Sequence, residues 1–177
     1  MNISEKEKAE LKKLARSAIE TVLFGKKDQA PDILEKFNEK GGAFVTIKKK
    51  GDLRGCIGYI DAALPLFETV KNAAIHAAFN DLRFSPLQKN EWEDIDLEIS
   101  ILTPLKKIDD VLEIKIGIHG LYIKKGYNTG LLLPQVAVEY DWDRTTFLEH
   151  ACYKAGLPKN AWQSTDVEIY VFSAEVF

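Results

Sequence analysis

A chain of 177 residues has the length of one compact domain; 46% hydrophobic residues are ample for a core, and 29% charged residues supply a polar surface. A net charge of −3 argues against a broad nucleic-acid footprint, which shows as an excess of basic charge. Two cysteines make no disulfide framework, no apolar run reaches membrane-spanning length, and the polar opening Met-Asn-Ile-Ser-Glu-Lys lacks a signal-peptide pattern. The expected setting is therefore a reducing cytoplasm with both thiols free, and no membrane.

Ser4 with Glu7 three residues on makes a capping box, and Leu11, Leu14, Ala15, Ala18 and Val22 follow at helical spacing until Gly25 offers a stop. Pro31 opens a second, shorter helical pattern through Ile33, Leu34 and Phe37, ended by Gly41-Gly42. Neither carries evident chemistry. Two apolar runs, Ala43 to Ile47 and Leu53 onward, flank a Lys-Lys-Lys-Gly-Asp turn and read as a β-hairpin; the basic run Lys48–Lys50 is explained by a solvated tip.

The second run, Leu53-Arg54-Gly55-Cys56-Ile57-Gly58, is the most informative stretch. Strict alternation places Arg54, Cys56 and Gly58 on one face, with Arg54 and Cys56 within roughly 7 Å at Cβ. A fixed positive charge nearby favours the thiolate, the reactive form of cysteine. The glycines mark a bulge or a close approach by a ligand or another backbone. Against this stands the plain reading of Cys56 as a small core residue. Arginine is almost never buried alone, so the face is either wet or lined with a buried acid.

Pro65 precedes a helix to about Phe79 with an apolar face of Leu66, Val70, Ala73, Ala74 and Ala77, whose small side chains permit close packing on a sheet. His76 in that helix reads as structural. Asp81 and Arg83 follow, either as local caps and surface pairs or as an anion-binding arginine held by an adjacent acid. Trp92 leads into a strand in which Ile95, Leu97, Ile99 and Ile101 alternate with Asp94, Asp96, Glu98 and Ser100 until Pro104; the acidic face reads as solvated rather than as a metal site.

Ile114 to Lys125 reads as a second hairpin turning at Gly117-Ile118-His119-Gly120, with His119 solvated. After the turn Asn128-Thr129-Gly130, Leu131-Leu132-Leu133 fits a strand buried on both faces, and Pro134-Gln135 ends it; Gln135 can donate and accept in a cleft wall or cap the next segment. Asp143 caps a helix through Phe147, Leu148, Ala151 and Cys152, closed by Gly156 and Pro158. His150 and Cys152 point to different faces, and Cys152 reads as core. Val167 to Val176 looks like one interior strand. No phosphate loop, dinucleotide glycine pattern, Cys-x-x-Cys, serine elbow, repeat or linker is present, and no cofactor or metal is expected.

Leu53-Arg54-Gly55-Cys56-Ile57-Gly58 resembles the signature of the AMMECR-domain family, whose bacterial members are called AmmeMemoRadiSam system protein A. Asp81-Leu82-Arg83-Phe84, Gly130-Leu131-Leu132-Leu133-Pro134-Gln135-Val136 and Cys152-Tyr153-Lys154-Ala155-Gly156-Leu157-Pro158 fit the same family in order and spacing. Leu82 departs from it, since the family usually has proline there. The resemblance implies a single α+β domain over 1–177 made of two subdomains, with family-typical residues near a cleft between them. It implies no reaction. It also implies Memo-like and radical S-adenosylmethionine proteins as partners.

Two functional readings follow. In the preferred one the chain is a ligand- or partner-binding accessory protein in which Arg54, Asp81, Arg83 and Gln135 recognise a small polar or anionic ligand, or a partner surface. In the alternative, Cys56 activated by Arg54 is a nucleophile or covalent carrier; its weakness is that no histidine is tied to Cys56 by sequence. The predicted architecture is a mostly antiparallel, twisted sheet shared by strands near 43–48, 53–60, 95–103, 121–125, 129–133 and 166–176, with helices packed on it.

Overall fold

The structure, a computed structural model, describes residues 3–27, 36–60 and 63–177. In chain order its elements are α1 (Glu5–Phe24), β1 (Ala43–Lys49), β2 (Asp52–Tyr59), α2 (Leu66–Phe79), β3 (Ile95–Leu102), β4 (Lys106–Ile108), β5 (Gly120–Lys125), β6 (Asn128–Leu132), α3 (Pro134–Glu139), α4 (Arg144–Lys154), β7 (Glu168–Phe172) and β8 (Ala174–Val176). The expected helix start at Pro31 lies outside the described residues, and only a single 3-10 turn, Lys36–Asn38, follows it.

The chain divides into two compact units, one running to Leu102 and regaining Glu175–Phe177, the other Thr103–Ala174. Each has its own sheet, ordered β2-β1-β3-β8 and β4-β7-β5-β6, so the single shared sheet read from the sequence is corrected to two. The pairings are antiparallel, as the short turns require for β1–β2 and β5–β6. The final apolar run is not one strand. It is interrupted at Ser173, whose N–H donates to the Thr103 hydroxyl; β7 lies inside one sheet and β8 forms the edge of the other.

In the first unit α1 starts as its capping box dictates: the Ser4 side chain accepts from the Glu7 N–H, and the Glu7 carboxylate accepts from the Ser4 N–H at 2.8 Å. Gly25 ends it in the left-handed region at φ 68°. Leu11, Leu14, Ala15, Ala18 and Ile19 are buried with α2, whose Val70, Ala73, Ala74 and Ala77 share a core with Val45 and Ile47 of β1. Alanines let the helix come close enough that Gly55 of β2 has no room for a side chain: a Cβ there would lie 2.1 Å from the Ala77 carbonyl oxygen.

The second unit buries Ile114, Leu121, Ile123, Phe147, Leu148, Ala151 and Cys152. Its hairpin differs from the expected one. β5 begins only at Gly120 and turns back through Gly126 (φ 58°) into β6, while Val111–Glu113 form a 3-10 turn and residues 116–118 a further turn. The His119 imidazole, half-buried rather than free in solvent, accepts from the Lys115 N–H at 3.3 Å. β6 is an edge strand, so Leu131 and Leu132 are only half-buried, not covered on both faces.

Candidate functional site

The β1–β2 hairpin turns through Lys50 and Gly51, both at positive φ (53° and 92°), the geometry of a tight two-residue turn. Its three lysines are not simply solvated. Lys48 bonds Glu98 at 2.8 Å, Lys49 bonds Glu91 at 2.9 Å, and Lys50 lies 3.7 Å from Asp94.

Above the turn the ladder slips. Ile47 pairs with Gly55 but Lys48 pairs with Leu53, leaving Arg54 as an unpaired extra residue, a β-bulge. The bulge breaks the alternation from which a common face for Arg54 and Cys56 was read. Arg54 instead forks onto Glu91, Nε to Oε1 at 3.0 Å and Nη2 to Oε2 at 2.9 Å, with both side chains 12–13% exposed. Of the two surroundings the sequence allowed for this arginine, a buried acid is the one present. The Glu91 carboxylate also accepts from Lys49 Nζ and the Gln88 N–H, and these partners, Arg54 first, hold its pKa down to about 2.

Cys56 is only partly buried. Its Sγ accepts the Thr46 hydroxyl at 3.2 Å across the β1–β2 ladder. Because β2 is an edge strand, the peptide groups of Cys56 that point away from β1 need other partners. Asp81 and Arg83 supply them: Asp81 Oδ2 accepts the Cys56 N–H at 2.9 Å, and Arg83 Nη2 donates to the Cys56 carbonyl at 3.2 Å. The two side chains are locked to each other, Nε to Oδ1 at 2.9 Å and Nη2 to Oδ2 at 2.7 Å. One carboxylate acceptor and one guanidinium donor thus do for the edge what a neighbouring strand would do. The guanidinium bonds, together with the Cys56 and Arg83 N–H groups, hold the Asp81 carboxyl well below the usual carboxylate range, although burial opposes them.

Phe84 joins the two halves of this cluster. The Arg54 guanidinium lies 6.0 Å and that of Arg83 5.5 Å from the centre of its ring. The structure therefore brings Arg54, Cys56, Asp81 and Arg83 into one cluster of the first unit. Gln135, the remaining predicted residue, is half-buried in the first turn of α3 in the second unit. Sequence reasoning gave no role to Glu91, Phe84 or Thr46. The signal available for Glu91 was Gln88-x-x-Glu91, the capping box of the 3-10 turn Lys89–Asp94. The histidines belong elsewhere: His76 with the Tyr59 hydroxyl, His119 with Lys115, and His150 stacked on Trp142.

Among the described residues no group of three or more histidine, cysteine or acidic side chains could hold a metal ion, and no helix is long and apolar enough to cross a membrane.

A family model described as AMMECR1 matches residues 12–177. A Nanoarchaeum equitans protein is 46% identical over 175 residues, covering 94% of this chain and 97% of its own length. A Methanopyrus kandleri protein is 49% identical, covering 94% of this chain and 86% of its own length. The crystal structure of an uncharacterised protein from Pyrococcus horikoshii superposes with a TM-score of 0.91 at 40% identity, over 98% of this chain and 92% of that one. With a family model spanning nearly the whole chain and relatives this similar end to end, the chain belongs to the AMMECR1 family.

Proposed function

We propose that the chain is a ligand- or partner-binding accessory protein whose contact surface is centred on Leu82 and Arg83, with Arg54, Cys56 and Asp81 supporting it from behind. The observation that carries this reading is that the charges best suited to catalysis are already engaged. Arg54 is forked onto Glu91, and Asp81 onto Arg83 and the Cys56 N–H. A carboxylate held that firmly in its ionised form is a poor proton shuttle, since a useful acid or base has a pKa near the working pH. What faces outward is the Arg83 side chain, 56% exposed, beside Leu82, which is fully exposed. A cation beside an uncovered leucine suits a partner that offers a carboxylate next to an apolar residue.

The family resemblance makes a Memo-like protein and a radical S-adenosylmethionine protein, in the cytoplasm, the partners to try first. The test mixes the purified chain with each candidate from the same organism and measures association by calorimetry. Leu82→Asp should abolish binding without touching the fold, because the side chain it replaces is solvated. Association unchanged by Leu82→Asp and by Arg83→Lys moves the contact surface elsewhere.

The enzymatic alternative keeps one observation of its own: a partly exposed thiol that accepts a hydroxyl hydrogen bond and sits beside the Arg83 guanidinium. Native-state alkylation with iodoacetamide, read by mass spectrometry, separates the two. The binding reading expects Cys56 to react no faster than a cysteine in an unstructured peptide. Faster labelling, confined to Cys56, revives the nucleophile.

A further inference from the structure

The first unit carries a concavity that shares no lining residue with the Arg54–Arg83 cluster. While one side of α1 is buried, Lys12, Lys13, Arg16, Ser17 and Glu20 lie on the other. With Lys26 and Lys27 beyond the Gly25 stop, and Asp96 and Leu97 of β3, they line an open cavity of about 680 Å³, the size of a small-molecule site.

Its charge is out of keeping with the rest of the unit. Five cations meet two carboxylates there, in a chain whose net charge is −3. Several lysines elsewhere in the unit pair with acids: Lys8 bonds Glu5 on the same helix, and each lysine of the hairpin tip faces a carboxylate. In the cavity Lys26 pairs with Glu20 at 3.2 Å, but among the described residues Lys12, Lys13 and Lys27 meet no carboxylate at bonding distance. Lys12 and Arg16 are moreover four residues apart, a like-charge pairing that weakens a helix. A merely solvated face gains from mixed signs at that spacing. Arg16 is also held in place, its Nη2 on the Trp92 carbonyl at 3.4 Å and its guanidinium carbon 4.2 Å from the Trp92 ring centre. A fixed guanidinium among uncompensated ammonium groups is a prepared anion site.

We propose that this cavity binds a small molecule bearing a polyphosphate, of the nucleoside di- or triphosphate class. Lys12, Lys13 and Lys27 engage phosphate oxygens as point charges, and Arg16 supplies a fixed fork. The excess of three positive charges matches a di- or triphosphate better than a single carboxylate. A lone phosphate would also leave most of the volume empty, whereas Leu97 and the lysine stems can cover an uncharged portion.

The test is calorimetric titration of the whole chain with sodium tripolyphosphate and with ATP, without divalent metal, and with sulfate as the control at equal ionic strength. Saturable binding of tripolyphosphate or ATP, with none of sulfate, is expected; tighter binding of ATP identifies a nucleotide, equal binding a polyphosphate group alone. Lys12→Glu with Lys13→Glu should weaken it about tenfold per lysine. Lys12→Arg with Lys13→Arg should retain it, and Lys159→Glu, on the second unit, should leave it unchanged. Both lysines are exposed on the helix and glutamate is an equally good helix former, so the double variant keeps its fold, checked by its circular dichroism melt. The proposal is overturned if sulfate does as well, if the double glutamate variant binds as tightly as the parent, or if neither tripolyphosphate nor ATP binds.

Discussion

Both units end a sheet with an edge strand pressed against a helix, and both use a glycine to do it. A Cβ on Gly55 of β2 would lie 2.1 Å from the Ala77 carbonyl oxygen of α2, and one on Gly130 of β6 would lie 2.4 Å from the Ala155 nitrogen at the end of α4. They differ in how the edge is held. β6 is anchored by neutral groups, chiefly the Asn128 side-chain amide donating to the Ala155 carbonyl at 3.0 Å. β2 is anchored by charge, through Asp81 with Arg83 on the Cys56 peptide groups and Glu91 with Arg54 at the bulge. The cysteines follow suit. Cys152 is wholly buried and burial pushes its thiol pKa up, whereas Cys56 stays partly open. The charged edge, unlike the neutral one, is held rigid beside a partly exposed thiol and an exposed arginine.

The largest effect should come from filling the glycines. Gly55→Ala forces a backbone shift at α2, which buries seven side chains and cannot retreat cheaply; about 3 kcal/mol or more is expected. Gly130→Ala should cost less, because α4 buries four and the contact lies at its end. Denaturant melts of the two variants check the order. Equal costs would mean that the helices yield equally, and that packing does not distinguish the two edges.

Next comes the charge itself. Glu91→Ala leaves Arg54 and Lys49 facing an empty place in a largely buried setting, and about 3 kcal/mol should be lost. Removing the Asn128 amide from the other edge should cost only about 1 kcal/mol, one neutral hydrogen bond. Asn128→Ala and Glu91→Ala measured side by side give the ratio. A ratio near one would erase the contrast.

The charged edge also carries a pH signature. The folded pKa values of Asp81 and Glu91 both lie below the unfolded values of about 4. A depressed carboxylate contributes stability that is present above its unfolded pKa and lost as pH falls through the folded one. The first unit should therefore lose protection between about pH 5 and pH 2, and hydrogen exchange should show β2 opening before β6. In the second unit the depressed carboxylates Asp143, Asp166 and Glu168 lie in solvent, so their share is small. Asp81→Asn should cost about 2 kcal/mol at pH 7 and progressively less as pH falls below about 4, flattening that acid limb.

What could be read from the sequence was local. The Ser4–Glu7 box, the Gly25 stop, the alanine face of α2, the first hairpin and the core position of Cys152 rest on contacts a few residues long, and all are present. Distance in the chain hid the rest. Glu91 meets Arg54 across 37 residues, and nothing near either one names the other. The bulge at Arg54 shifts a face by one residue without any mark beyond the adjacent glycine. β7 and β8 read as one run because hydrophobicity alone does not say which sheet each half joins. Asp81 and Arg83 were legible as a pair; that they serve the backbone of Cys56 required the fold.

The smallest effect concerns the turn that carries the charged clip. The Phe84 N–H donates to the Asp81 carbonyl at 3.0 Å, making Asp81-Leu82-Arg83-Phe84 a β-turn with Leu82 in its second position. That position favours proline in the common turn types, because the ring presets φ near −65°. The turn's bonds use the N–H groups of Arg83 and Phe84 and not that of Leu82, whose side chain is fully exposed. Proline there removes no bond and no packing, and it narrows the unfolded ensemble. Leu82→Pro should accordingly stabilise the chain by about 0.5–1 kcal/mol, seen as a higher denaturant midpoint at unchanged slope. Because the same turn aims Asp81 at Cys56, hydrogen exchange at the Cys56 amide should slow along with it. Stabilisation with no change at that amide would mean that the turn and the edge clip move independently, and that the rigidity of β2 comes from Glu91 alone.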